Sequence, residues 1–225
     1  IGNEALLQSL QESAKAGRLS HGYVVEGPEG SGKFTLACHI ARLALCTGSS
    51  KPCGKCPHCI KLQKNIHPDL QVIAPPEGKS TIGVEQIKQL RGDMYIAPNE
   101  GEKKVYIIRQ AEKMTPAAQN ALLKSLEEPP SYVVLVLCVL SRDMLLPVVL
   151  SRCVHLAMAP VPQPLVEEAL AMLCFSSSKE ERRQAAALSN GIIGRGLSIL
   201  EDPSYLQQAE RCLNFLQRLA VKDRE

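Results

Sequence analysis

The sequence predicts an α/β protein in which a parallel sheet is followed by a small all-helical domain. Short apolar runs alternate with helix-period stretches through the first two thirds of the chain, and a glycine-rich turn joins the first run to a helix. Beyond a proline-rich hinge, residues 159–164 (APVPQP), only helical pattern remains. At about 150 residues per domain, 225 residues suit one large domain and a smaller one.

Residues 4–16 carry Leu6, Leu7, Leu10 and Ala14 at helical spacing, with Asn3 placed as a cap and Gly17 as the stop. The run GYVVEG (22–27) reads as a strand entering a turn, and in 34–45 Leu36, Ile40 and Leu43 share one helical face. Residues 47–59 are rich in Gly, Ser, Pro and Cys without periodicity, which predicts a loop. Further strands are expected at 70–74, 104–109 and 132–140, with helices at 83–92 and 116–128. Thr115 is the expected N-cap of that last helix, Pro116 suits its first position, and Pro129 ends it. VHLAM (154–158) leads into the hinge, and helices are expected over 165–173, 179–190 and 205–220. The domain boundary falls near Pro160, giving 1–160 and 161–225; no internal repeat or low-complexity tract is visible.

Apolar residues at 45% and charged residues at 22% describe a chain that packs, and a net charge of +3 is too balanced to mark a nucleic-acid binder. The longest apolar stretch, Tyr132–Leu140, is nine residues, half of what a bilayer span requires. The opening residues lack the basic and apolar regions of a secretory signal, and the missing initiator Met suggests trimming. A reducing cytoplasm is the expected location.

Gly27-Pro-Glu-Gly-Ser-Gly-Lys33 matches the first seven positions of the phosphate-loop pattern G-x-x-x-x-G-K-[ST], between an expected strand and an expected helix. Gly27, Gly30 and Gly32 let backbone N–H groups converge on phosphate oxygens while Lys33 adds a full positive charge. The pattern then breaks. The Ser or Thr that would hold magnesium is Phe34, and Thr35 comes one residue late, about 100° around the helix. The acidic strand end that would anchor the ion is also missing, because VYII is followed by Arg109-Gln110 and Glu112 lies beyond the strand.

Nine cysteines include Cys46, Cys53, Cys56 and Cys59 in the order C-x6-C-x2-C-x2-C. Two-residue gaps let thiolates turn back onto one tetrahedral ion, so a structural zinc is expected to organise the loop. His58 in place of one cysteine, or an iron–sulfur cluster, are the alternatives at this spacing. Lys51, Lys55, Lys61 and Lys64 surround the loop without interleaved aromatics and read as solvated charges rather than a DNA contact. Ser151-Arg152-Cys153 follows the strand-like run LLPVVL, and taken alone Arg152 reads as a surface or ion-paired residue.

Together, GRLSHGYVVEGPEGSGKFTLA, the four-cysteine loop, HPDL, KVYII, TPAAQNALLKSLEEPP and LSRC resemble the AAA+ clamp-loader family of bacterial DNA polymerase III, in the family's order over residues 1 to about 160. The resemblance implies a RecA-like AAA+ core with a zinc module inserted at about 46–59, then a helical lid domain. It implies that Arg152, with Ser151 of the SRC element, acts as an arginine finger on a neighbour's ATP. The implied partners are gamma/tau and delta subunits and, through the complex, the sliding clamp and primer-template DNA.

The family's motor subunits keep the hydroxyl after the lysine and the acidic strand end, and this chain has neither. In their lid an arginine follows a glycine by three residues, whereas Gly191 is followed by Ile-Ile-Gly and then Arg195. These departures count against ATP binding and sensing in cis. The chain ends before the family's C-terminal collar would fit, so a truncated chain is expected. The expected function is thus a non-hydrolysing subunit; the alternatives are an ATP-hydrolysing gamma/tau-type motor and, from another class, a zinc-bearing P-loop kinase or DNA-repair adaptor.

Overall fold

A computed structural model describes residues 2–202 and 204–205, which group into two compact units. The larger comprises Glu4–Pro28 and Gly32–Met158; the other comprises residues 2–3, Glu29–Ser31 and the described residues from Ala159 onward. The expected helix over 205–220 lies outside the described residues apart from Tyr205.

The larger unit runs α1 (Glu4–Lys15), β1 (Gly22–Glu26), α2 (Lys33–Leu45), α3 (Pro57–Gln63), β2 (Leu70–Ile73), α4 (Val84–Met94), β3 (Lys104–Ile108), α5 (Pro116–Glu127), β4 (Val133–Val139), α6 (Pro147–Leu150) and β5 (Val154–Ala157). Its five strands are ordered β2-β3-β4-β1-β5, and every pairing is parallel. Parallel strands need covered faces, and alternate residues of the central strands β1, β3 and β4 supply them, while the edge strands β2 and β5 are more exposed. Val24, Tyr106, Ile108, Leu135 and Leu137 pack with Ile87, Leu90, Ala118 and Leu122 of α4 and α5. Val25, Val105, Ile107, Val134 and Val136 pack with Leu10 of α1 and Leu36, Ile40 and Leu43 of α2. β4, in the middle of the sheet, is buried along its whole length, which is why its sequence is an unbroken apolar run.

Thr115 caps α5, its side chain accepting from the Ala118 N–H at 3.2 Å, with Pro116 in the first turn. Three local expectations change. Asn3 does not cap α1: it adopts φ 56°, and its amide exchanges two hydrogen bonds with the backbone of Ala159. The stretch before Arg152 is not a strand, because Pro147–Leu150 forms one helical turn, α6. The cysteine-rich loop closes with a helix, α3, capped by Cys56, whose sulfur accepts from the Cys59 N–H.

The second unit contains α7 (Gln163–Leu173), α8 (Lys179–Leu188) and α9 (Ile193–Glu201) around Val166, Leu170, Ala185, Ala186 and Ile199. Ser178 caps α8 in a reciprocal box with Glu181. Among the described residues, no helix is long and apolar enough to cross a membrane.

Candidate phosphate loop, cysteine cluster and interface arginine

The phosphate loop begins at the end of β1, where the Gly27 N–H bonds the Val139 carbonyl at 3.2 Å. Gly32 adopts φ 90° at the start of α2, a conformation that L side chains avoid, so glycine there is a backbone requirement. Lys33 opens α2, and its ammonium donates to the carbonyls of Gly27 at 2.7 Å and Pro28 at 2.8 Å. Residues 29–31 group with the helical unit, in which the Gly30 carbonyl accepts from the Gly194 N–H at 3.0 Å. A Cβ at Gly30 would come within 3.0 Å of the Arg195 nitrogen.

Phe34 follows Lys33 in the first turn of α2, and Thr35 beside it is exposed. β3 ends at Ile108, so Arg109 stands at the strand end, followed by Gln110 in the left-handed region. The Arg109 guanidinium lies over the Phe34 ring, 4.6 Å from its centroid. The two positions at which a magnesium–nucleotide site needs a hydroxyl and a carboxylate therefore carry an aromatic ring and a cation, packed on each other. Glu112 sits in the 3₁₀ turn beyond the strand, and its Oε2 is buried without a hydrogen-bond partner among the described residues.

The four cysteines of the loop converge, with all four sulfurs within 4.8 Å of one another. Cys46 and Cys56 Sγ are 3.9 Å apart, close to the roughly 3.8 Å edge of a tetrahedron with Zn–S bonds of about 2.3 Å. Backbone N–H groups of Gly48 and Cys53 point at Cys46 Sγ, that of Cys56 at Cys53 Sγ, and that of Cys59 at Cys56 Sγ. Burial opposes ionisation of the Cys56 thiol, but the Cys59 and Thr47 N–H groups outweigh it and bring the thiol down to about 5. Burial pushes Cys59 up to about 12. The donor set fits a structural zinc held by Cys46, Cys53, Cys56 and Cys59, with no place left for a reacting ligand.

His58 stands outside this set. Its Nδ1 is 2.8 Å from His67 Nε2, and Glu100 approaches both rings. The Asp69 N–H donates to His67 Nδ1 at 3.0 Å, so that nitrogen carries a lone pair and the ring proton sits on Nε2, donating to His58. A protonated Nε2 is not a metal ligand, and burial holds the His67 ring below its ordinary value. The pair docks α3 instead, together with the Lys61–Glu100 ion pair. Buried Asp69 fixes the receiving turn by accepting from the Asn99, Glu100 and Gly101 N–H groups.

Arg152 follows α6, and its side chain is 34% exposed. Its Nη2 donates to Glu127 Oε1 at 2.8 Å, and its Nη1 donates to the Val148 carbonyl at 2.9 Å and to Ser151 Oγ at 3.2 Å. Ser151 thus supports the guanidinium as well as bonding Val148 itself. Glu127 and the Phe34–Arg109 contact are the features that sequence reasoning missed. A carboxylate at the end of α5, where the helix dipole disfavours it, is the signal that could have pointed to Glu127.

A family model described as DNA polymerase III, delta subunit, matches residues 2–162. The delta' subunit of DNA polymerase III from Pseudomonas aeruginosa is 38% identical over 175 residues, covering 76% of this chain and 53% of that protein. The chain belongs to the delta-prime family of clamp-loader subunits. The gamma/tau subunit of Mycobacterium tuberculosis is also similar, 31% identical over 176 residues, 77% of this chain and 30% of that protein. Among solved structures, a gamma subunit-related protein of Thermotoga maritima superimposes with a TM-score of 0.54 at 25% identity, covering 82% of this chain and 57% of that one. The core is accordingly RecA-like AAA+ with a four-cysteine group compatible with a zinc module, and the chain spans about half the length of the delta-prime relatives it matches.

Proposed function

We propose that this chain is a non-hydrolysing member of the delta-prime family that stands beside an ATP-hydrolysing gamma/tau subunit and offers Arg152 to the γ-phosphate bound there. The observation that carries the reading is the Phe34–Arg109 contact, which fills both magnesium-anchoring positions with groups that cannot ligate a dication. A half-buried guanidinium held by hydrogen bonds can stabilise charge spreading over a neighbour's transferring phosphoryl group, an effect of about 10³–10⁵ in rate where an arginine finger acts. In this reading Gly27, Gly30, Gly32 and Lys33 form a vestigial phosphate loop, and the four cysteines hold a structural zinc. Residues 1–160 are the AAA+ domain and 161–225 the lid. Partners would be gamma/tau and delta subunits in the cytoplasm, with clamp and primed DNA met through the assembly during replication.

The test is a reassembled loader carrying Arg152→Ala. Clamp-stimulated ATP turnover is expected to fall at least about a hundredfold, given the size of arginine-finger effects. Wild-type turnover and loading would end the finger assignment.

A second reading, a gamma/tau-type motor, is favoured by the similarity to gamma/tau chains and by the Glu112 oxygen that has no partner among the described residues, a carboxylate near the strand end. It requires the isolated chain to hydrolyse ATP and Glu112→Gln to abolish that turnover.

A further inference from the structure

Glu127 closes α5, where the negative end of the helix dipole makes a carboxylate locally unfavourable. Its compensation is the Arg152 guanidinium, 2.8 Å from Oε1. Val148 and Ser151 hold the other terminal nitrogen, so among the described residues three of the five arginine N–H donors are engaged. The carbonyl of Val148 and the hydroxyl of Ser151 come from the α6 turn, whereas Glu127 comes from a different helix. The guanidinium is thereby tied to two elements of the sheet unit while two donors remain.

Three other places in the fold compete as sites, and each is weaker. The His58–His67–Glu100 group has its ring proton on the inward nitrogen, as the Asp69 N–H requires. The small cleft by Leu6, Arg18, Ser20 and Val154 gathers no converging charges. The exposed Met172, Leu173 and Phe175 at the end of α7 have nothing in the structure to identify an occupant.

We infer that Glu127 is a positioning residue for Arg152: it fixes the guanidinium plane in advance, so that the remaining donors meet a neighbour's phosphate without reorganisation. This rests on the reading of Arg152 as a finger acting in trans. An exposed ion pair shifts an equilibrium by up to about fivefold, which bounds the effect.

The experiment compares ATP turnover of the reassembled loader carrying Glu127→Ala, Glu127→Gln, Arg152→Ala, or Glu127→Ala with Arg152→Ala. Glu127→Ala is expected to lower kcat about threefold to fivefold with KM for ATP unchanged. Glu127→Gln, whose amide oxygen still accepts, should retain most of the rate and reports on a variant that keeps the shape of α5. The double variant should match Arg152→Ala alone, a non-additivity that a merely structural role would not produce. Wild-type or raised kcat in Glu127→Ala, or a further loss in the double variant, overturns the positioning role while leaving a defective Arg152→Ala intact. An Arg152→Ala loader that turns over normally overturns the finger reading itself, and the role of Glu127 with it.

Discussion

Arg109 lies over Phe34, the residue that follows Lys33, with its guanidinium 4.6 Å from the ring centroid. Each residue departs from what magnesium chemistry asks, and the two departures satisfy one another. Phe34 is half-buried against the core formed by α1, α2 and the sheet, and the exposed Arg109 lies over the face of its ring. Stacked, the cation is attracted to the ring, at about 0.5–1 kcal/mol for an exposed contact. Arg109→Ala should therefore lower stability by about that amount. Nucleotide affinity of the unaltered protein should be insensitive to magnesium, whereas Phe34→Ser with Arg109→Asp should introduce magnesium dependence. Calorimetric titration with ADP, with and without the ion, reads the difference, and a magnesium-dependent affinity in the unaltered protein would refute the plugged-site account.

The cysteine cluster predicts metal content by residue. Cys46→Ser and Cys59→Ser should lose zinc in elemental analysis, while His58→Ala should keep it, since His58 bonds His67 rather than the sulfurs. Chelation should raise hydrogen exchange over residues 47–63 and leave the amides of β4 protected, because the loop has few apolar contacts of its own and the sheet has many. Zinc loss in His58→Ala with retention in Cys46→Ser would reassign the ligands.

Asp69 predicts an acid-side effect. Burial raises its carboxyl, but the N–H groups of Asn99, Glu100 and Gly101 outweigh burial and hold it below the ordinary value. A depressed folded-state value means that its stabilisation is present above the unfolded value, about 3.9, and disappears as pH falls through the folded one. Asp69→Asn should cost about 1–3 kcal/mol at neutral pH and show a flatter loss of stability below about pH 4. Denaturant titrations across pH 2–7, read with the usual linear extrapolation at roughly 1–3 kcal/mol per molar urea, give both quantities. Equal acid sensitivity in the two proteins would contradict the assignment.

Gly22 has a steric reason. A Cβ there would sit 3.0 Å from Cys153 Sγ and 3.3 Å from both the Arg152 carbonyl and Leu126 Cδ2. Gly22→Ala should destabilise by about 1–3 kcal/mol and disturb the segment that carries Arg152. Unchanged thermal unfolding would show that the neighbours move aside freely.

Much of this fold was legible in the sequence because strands buried on both faces must be continuously apolar, as Val133–Val139 is, and because Thr115 and Pro116 mark a helix start unambiguously. Pro147–Leu150 was not, since four apolar residues are too short to display a helical period and read equally as strand. Asn3 was misplaced because its amide found a better partner in Ala159, far away in sequence. Spacing singled out the four cysteines but left His58 open beside them, and only the fold pairs that ring with His67; the helix that closes the loop was not legible, because its first turn is organised by a sulfur cap. The Arg109–Phe34 stack and the Glu127–Arg152 pair join residues with no fixed spacing, so only the folded chain reveals them.

The most direct measurement is steady-state ATP consumption by the purified protein alone, with magnesium in excess. Release of phosphate no faster than in buffer, from a protein whose melting curve shows it folded, is the predicted result. Multiple turnovers that vanish in Lys33→Ala would contradict the account.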